Sequence, residues 1–252
     1  MIAVIIFFIV HWYLSLFSQT FFLHRYAAHR MFTMNKFWER YFSIFAYITQ
    51  GSSYLSPRAY AILHRMHHAF SDTEKDPHSP HHTKNIFTMM WKTKDIYLNY
   101  AYERINPEPR FDTGYIWKSL EKFGEQWFSR FIWGAAYFFL YVWFYVQFDM
   151  PWYFFALLPI HFVMGPIHGA IVNWSGHMYG YSNYDNNDRS KNSLIFDLLM
   201  LGELFQNNHH KLPYRANFGT KWFEIDPTYP VIMTLMWLGI IRLNPHPVGH
   251  DH

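Results

Sequence analysis

Four segments of the chain carry histidines at spacings that suit metal chemistry. In residues 61–80, AILHRMHHAFSDTEKDPHSP, His64, His67 and His68 stand three and four apart. On an α-helix these spacings put all three imidazoles on one face. GELFQNNHHKLP repeats the pattern with Gln206, His209 and His210, glutamine replacing one imidazole. In NWSGHMYGY, Asn173 and His177 are four apart and face the same way on a helix. LHRYAAHR adds His24 and His29. Five residues turn an α-helix about 140° past a full turn, so this pair is expected to straddle a helix end without sharing a face. Together His24, His29, His64, His67, His68, His177, His209 and His210 make eight imidazoles, more than one tetrahedral or octahedral ion can use, which argues for two metals. Imidazole suits Zn, Cu, Fe or Ni, so ligand type leaves the metal open. With no Cys in the chain, an iron–sulfur cluster held by its own thiolates is excluded, and electrons for redox chemistry must come from another protein. Asp72, Glu74 and Asp76 are placed to accept the free ring N–H of ligating histidines.

The elements that must position these groups look membranous. Charged residues make up 15% of the 252 and aromatic residues 22%, against a charged fraction of roughly 25% in soluble domains. The mean hydropathy of -0.13 is not apolar, but Tyr, Trp and His score as polar while sitting readily at bilayer interfaces and metal centres. Residues 1–23, 131–148 and 150–184 contain no Lys, Arg, Asp or Glu. A helix needs about 20 apolar residues to cross a bilayer, so spans are expected near 2–22, 131–148 and 152–172. Segments near 41–57 and 228–241 are expected to be interfacial or re-entrant. The expectation is thus an all-α integral membrane protein, a single domain over 1–252, with three or four transmembrane helices and a histidine-rich helical cap. All 21 Lys and Arg fall in 25–130 or 189–242, on one side of that layout, which the positive-inside rule makes cytoplasmic. The N-terminus then lies outside, a placement that a further upstream helix would explain. The first span lacks the positive n-region and small-residue cleavage site of a signal peptide. A net charge of +3 suits anionic headgroups, and no motif points to nucleic acid.

Other histidines stay outside the candidate ligand set. His11 reads as a packed residue of the first span; His161 and His168, seven apart, can share one stripe of the third, where a functional intramembrane group and a neutral imidazole bonded to a neighbouring helix are equal readings. His78, His81 and His82 lie in a Pro-, Ser- and Asp-rich loop and read as surface residues. Short amphipathic helices are expected between 86 and 129, around the breaker Asn106-Pro107-Glu108-Pro109.

HRYAAH, HRMHH followed by SDTEKDPHSP, NWSGHMYGY and GELFQNNHHKLP, in that order over residues 23–222, resemble the successive histidine boxes of the integral-membrane acyl-CoA and acyl-lipid desaturases of the stearoyl-CoA (delta-9) type. The resemblance implies a di-iron centre bound by His24, His29, His64, His67, His68, His177, His209 and His210. Asn173 matches an asparagine that holds a metal-bound water in that family. Gln206 stands where the eukaryotic enzymes have a ninth histidine, a weaker neutral ligand that leaves one iron with an open or water-filled position. One span precedes the first box where the family usually has two.

The resemblance further implies O2 as co-substrate, a long acyl chain on CoA or a membrane lipid as substrate, and an external electron donor such as a ferredoxin, rubredoxin or cytochrome b5-like protein. Hydrogen removal from an unactivated methylene needs a strong oxidant shielded from water, and an apolar channel would supply both shielding and register. The expected reaction is insertion of a cis double bond. The alternatives are a di-iron hydroxylase of alkanes or lipids, a zinc hydrolase, against which the absence of HExxH speaks, and a silent membrane scaffold.

Overall fold

The computed structural model describes residues 2–245. Helix α1 (Ile2–Phe17) runs without a break into a π-helical segment, Ser18–Ala28. This continuous 27-residue rod is long and apolar enough to cross a membrane. A short strand β1 (Phe32–Met34) follows, then α2 (Lys36–Gln50), started by the Asn35 side chain accepting from Trp38 N–H. Such a cap satisfies a donor that the first turn leaves open. Helix α3 (Pro57–Phe70) has Ser56 as its cap and proline in its first turn, where the missing N–H costs nothing. Helix α4 (Ile86–Ala101) opens with a reciprocal capping box between Asn85 and Thr88.

Helices α5 (Lys118–Gly124) and α6 (Trp127–Gln147) lead to a hairpin turn at Asp149. The stretch expected as a single third span is broken into a 3₁₀ turn at Trp152–Leu157, α7 (Leu158–Phe162) and α8 (Met164–Met178). The bend across the break is 69°. Pro166, in the first turn of α8, has no N–H to continue a helix from α7. At Gly165 an added Cβ would lie 3.0 Å from the Ser53 carbonyl, so the backbone of the bend sits hard against the Gly51–Ser53 turn. His161 and His168 therefore form no continuous stripe. Helix α9 (Gln206–Lys211), α10 (Thr228–Trp237) and strand β2 (Ile241–Leu243) complete the described chain. β2 pairs antiparallel with β1, Phe32 opposite Leu243, a two-stranded exception to the all-helical expectation.

Besides the 27-residue rod, the bent α7–α8 pair is the other candidate span among the described residues. Helix α6 is 21 residues long and uncharged from 131 onward, but its Tyr and Trp content lowers its hydropathy. The 41–57 and 228–241 stretches fall mainly on α2 and α10.

Two apolar clusters hold the frame. Phe21, Phe22, Leu23, Phe32, Phe42, Phe205 and Phe218 bury the π segment against α2 and the C-terminal third. Val4, Tyr137, Tyr141, Phe144 and Leu158 join α1 to α6 and α7. Within that second cluster His11 Nδ1 lies 2.6 Å from His161 Nδ1, and Tyr141 Oη lies 2.8 Å from His161 Nε2. His11 is thus packed inside the helical bundle, as expected of a structural histidine.

Candidate metal centre

The π segment decides where His24 and His29 go. In a π-helix hydrogen bonds close five residues back, and His29 N–H donates to the His24 carbonyl at 3.1 Å. Residues five apart are then neighbours, and the two rings lie 5.0 Å apart. The α-helical expectation that they do not share a face is therefore corrected, although His29 does cap the helix end. Arg65 fixes this end to α3: its guanidinium donates to the carbonyls of Ala27, Ala28 and Phe111 at 2.7, 2.9 and 2.8 Å. Breaking that clamp would leave buried carbonyls unpaired, at about 1–3 kcal/mol each.

Helix α3 brings His64 and His68 to the same point, and α9 adds His209. The ring nitrogens of His24, His29, His64, His68 and His209 all fall within 4.8 Å of one another. The Nε2 pairs measure 2.7 Å for His29–His64, 3.0 Å for His24–His209, 3.0 Å for His68–His209 and 3.1 Å for His64–His68. Burial first, and the neighbouring imidazoles second, push His64, His68 and His209 well below the ordinary imidazole value. They are neutral, with lone pairs available.

His67, His177 and His210 form a second group. Each Nδ1–H donates to a carboxylate: His67 to Asp76 at 2.9 Å, His177 to Asp72 at 2.9 Å and His210 to Asp188 at 2.6 Å. Fixing the proton on Nδ1 turns the Nε2 lone pair inward and strengthens it as a donor to a metal. His67 and His210 meet Nε2 to Nε2 at 3.2 Å, and His177 Nε2 is buried with no hydrogen-bond partner. Burial works to raise Asp72, Asp76 and Asp188, but their imidazole partners and N–H donors outweigh it, so all three lie below the ordinary carboxylate range. Burial would lower His67, yet Asp76, backed by Asp72 and Asp188, holds it above the ordinary imidazole value. His210 is lowered to about 4, chiefly by burial.

Lone pairs facing each other at 3 Å repel unless a cation lies between them. All-nitrogen groups of this kind, with protons held on the outer Nδ1 atoms, fit divalent transition metals.

Two carboxylates here had no signal in spacing. Glu203 accepts from His24 Nδ1 at 2.6 Å and from the Thr20 hydroxyl. Asp188 serves His210. Asp72 and Asp76 act as expected, whereas Glu74 is exposed. His78 corrects the surface reading: it is 5% exposed, its ring 4.3 Å from His67, because its N–H and that of Asp72 both bond Asp76 and fold the loop inward. His67, Asp76 and His78 could themselves surround an ion. His82 is exposed and His81 partly so.

Gln206 is buried, its Nε2 donating to the Glu203 carbonyl at 2.6 Å. Its Cγ lies against Gly176, next to His177. Asn173 and Gln206 both line a cavity of about 1150 Å³ that also touches His24, His64 and Glu203. The six-residue α9 is held by its own asparagines: Asn208 bonds Asn192, Asn183, Glu224 and the Phe218 carbonyl, and Asn207 bonds the backbone of Asn183 and Tyr184.

Comparison with known proteins shows what the whole chain is similar to. The acyl-CoA 5-desaturase AL21 of Anemone leveillei is 30% identical over 234 residues, covering 90% of this chain and 66% of its own length. The sn-1 stearoyl-lipid 9-desaturase of Anabaena variabilis is 28% identical over 236 residues, covering 92% and 80%. The delta-9 desaturase-like 5 protein of Arabidopsis thaliana is 29% identical over 233 residues, covering 88% and 70%. The chain thus spans about two thirds of the length of the first of these. The family model for fatty acid desaturases matches residues 1–237, and the chain belongs to the fatty acid desaturase family.

Proposed function

We propose that the chain is an O2-dependent desaturase that introduces a cis double bond into a long acyl chain, carried on CoA or a membrane lipid. The convergence of eight imidazoles into two compact groups beside an apolar cavity of about 1150 Å³ carries this reading. In it, His24, His29, His64, His68 and His209 hold one iron, and His67, His177 and His210 the other. Asn173 acts through a water and Gln206 is a weak additional ligand. Two iron ions so held would supply, from O2 and two external electrons, the oxidant that removes two hydrogens from adjacent methylenes. With two further protons, both oxygen atoms leave as water.

The chain's residues do the rest. Glu203, Asp72, Asp76 and Asp188 keep the Nδ1 protons in place and so keep the Nε2 atoms free. The cavity walls, from Leu16, Leu55, Leu63, Val163 and Val172 among others, exclude water and hold the chain in register. The exposed apolar faces of α1 (Ile2, Ile6, Ile9) and α6 (Phe131, Phe139, Val146) support embedding in lipid. The one-sided distribution of Lys and Arg supports a cytoplasmic histidine centre. Electrons come from a separate ferredoxin, rubredoxin or cytochrome b5-like protein.

Expression in a host with simple lipids, followed by fatty-acid methyl ester analysis, tests the proposal. New monounsaturated esters, two mass units lighter, are expected. Esters sixteen units heavier would indicate a hydroxylase instead, and unchanged esters from iron-loaded, reduced protein would overturn the reading.

A further inference from the structure

The cavity beside the histidines has a second end. Its lining runs from His24, His64, Gln206 and Asn173 to a rim of aromatic residues that are exposed to the outside. From α4 come Phe87 and Trp91, and from α6 come Trp127, Phe131, Phe138 and Phe139. Trp127 is 81% exposed and Phe87 82%. Helix α4 packs on α3 and α8, while α6 packs on α5, α7 and the Gly51–Ser53 turn. The cavity is the slot left between α4 and α6, and the rim lies on the same helix whose apolar face is left uncovered.

The charge at this rim separates the possible acyl carriers. Coenzyme A brings a phosphomonoester and a diphosphate, which call for several free Arg or Lys. The cations lining the cavity are Lys94 and Arg130. Arg130 is spent internally, on Glu125 at 2.8 Å and on the Ser52 and Tyr54 carbonyls at 2.9 and 3.0 Å. Lys94 rests 3.2 Å above the Trp91 ring and pairs with Asp95 at 3.4 Å. Nearby Lys92 is held by the carbonyl of Asp76 at 2.8 Å. Of the cations lining the cavity, Lys94 is thus the exposed ammonium left on an aromatic rim, the composition found where side chains meet lipid headgroups.

Resting on the desaturase reading, we propose that the acyl chain enters sideways from the bilayer through the α4–α6 slot while still esterified in a membrane glycerolipid. Lys94 meets the headgroup phosphate, Trp91 and Trp127 flank the glycerol, and the chain passes between Phe87 and Phe131 toward His64.

The test uses the full chain in nanodiscs of phosphatidylcholine containing a phosphatidylcholine with a mid-chain diazirine. A parallel sample receives the same acyl chain on CoA. After illumination, mapped peptides should show the lipid probe on both walls of the slot and inside it, at Leu63 or Val172. Excess stearoyl-CoA should not protect these positions. Trp127→Glu should cut interior labelling about tenfold by placing a carboxylate at the lipid mouth. Unchanged labelling of α1 and unchanged iron content show that the variant is folded. Interior labelling by the CoA probe, protected by stearoyl-CoA, would overturn the proposal, as would lipid labelling confined to the outer faces of α1 and α6. Labelling does not require turnover, so failure of lipid entry is distinguishable from failure of the desaturase reading, which the ester analysis decides.

Discussion

The two histidine groups reach similar geometry by different means. In the group of three, every imidazole is buttressed by a carboxylate, from Asp76, Asp72 and Asp188. In the group of five, Glu203 accepts from His24 Nδ1, whereas His209 Nδ1 is buried without a partner. One group depends on few donors made strong by nearby negative charge, the other on many neutral donors made available by burial. The difference follows the chain. The group of three gathers around the loop after α3, where Asp72 at φ 57° turns the backbone inward. The group of five is built on the π segment, α3 and α9, whose surroundings are aromatic and amide-rich.

Removing a donor should separate the two strategies most strongly. His177→Ala leaves two imidazoles of three and is expected to lower turnover by about a thousandfold or more, since groups acting as a unit fail together. His29→Ala leaves four of five and should cost visibly less. Equal losses in the two variants, measured as turnover per folded protein, would dissolve the contrast.

A smaller effect comes from the carboxylates. Asp76→Asn is expected to lower metal affinity by about 10–100-fold, as loss of such partners generally does. Glu203→Gln, serving one donor among five, should fall at the low end of that range. Competition with a chelator measures both, and a greater loss in Glu203→Gln would reverse the comparison.

The smallest effect concerns stability. Asp197 is fully buried behind the loop that carries Glu203, accepting from the N–H groups of Met200, Gly202 and Leu204. Burial, and more weakly Glu203, push its carboxyl up to about 6 despite those bonds. An acid raised in the fold loses stability as pH rises from the unfolded value through the folded one. Between about pH 4 and 6 this one group should therefore cost about 2–3 kcal/mol. Asp197→Asn should flatten that part of the stability profile relative to wild type in thermal melts, and parallel profiles would remove Asp197 from the account.

The sequence made the α3 and α9 triads legible because three- and four-residue spacings are a property of the α-helix itself. The same assumption misled at His24 and His29, where a π segment makes five residues the repeat. Pro159, Gly165 and Pro166 signalled the break between α7 and α8, but they stand in a long uncharged run that reads as one span. His78 looked like a surface residue by composition, since backbone donors to Asp76 leave no trace in residue type. Glu203 and Asp188 lay in plain view, six residues before His209 and eleven after His177, yet no local spacing links an acid to an imidazole supplied by another element.

The most direct test of the account is the iron content of purified, iron-reconstituted protein. It predicts about two irons per chain, falling to about one in His210→Ala, which leaves two donors of three, and staying nearer two in His209→Ala, which leaves four of five. One iron or none in the wild type, or two irons kept in His210→Ala, would contradict it.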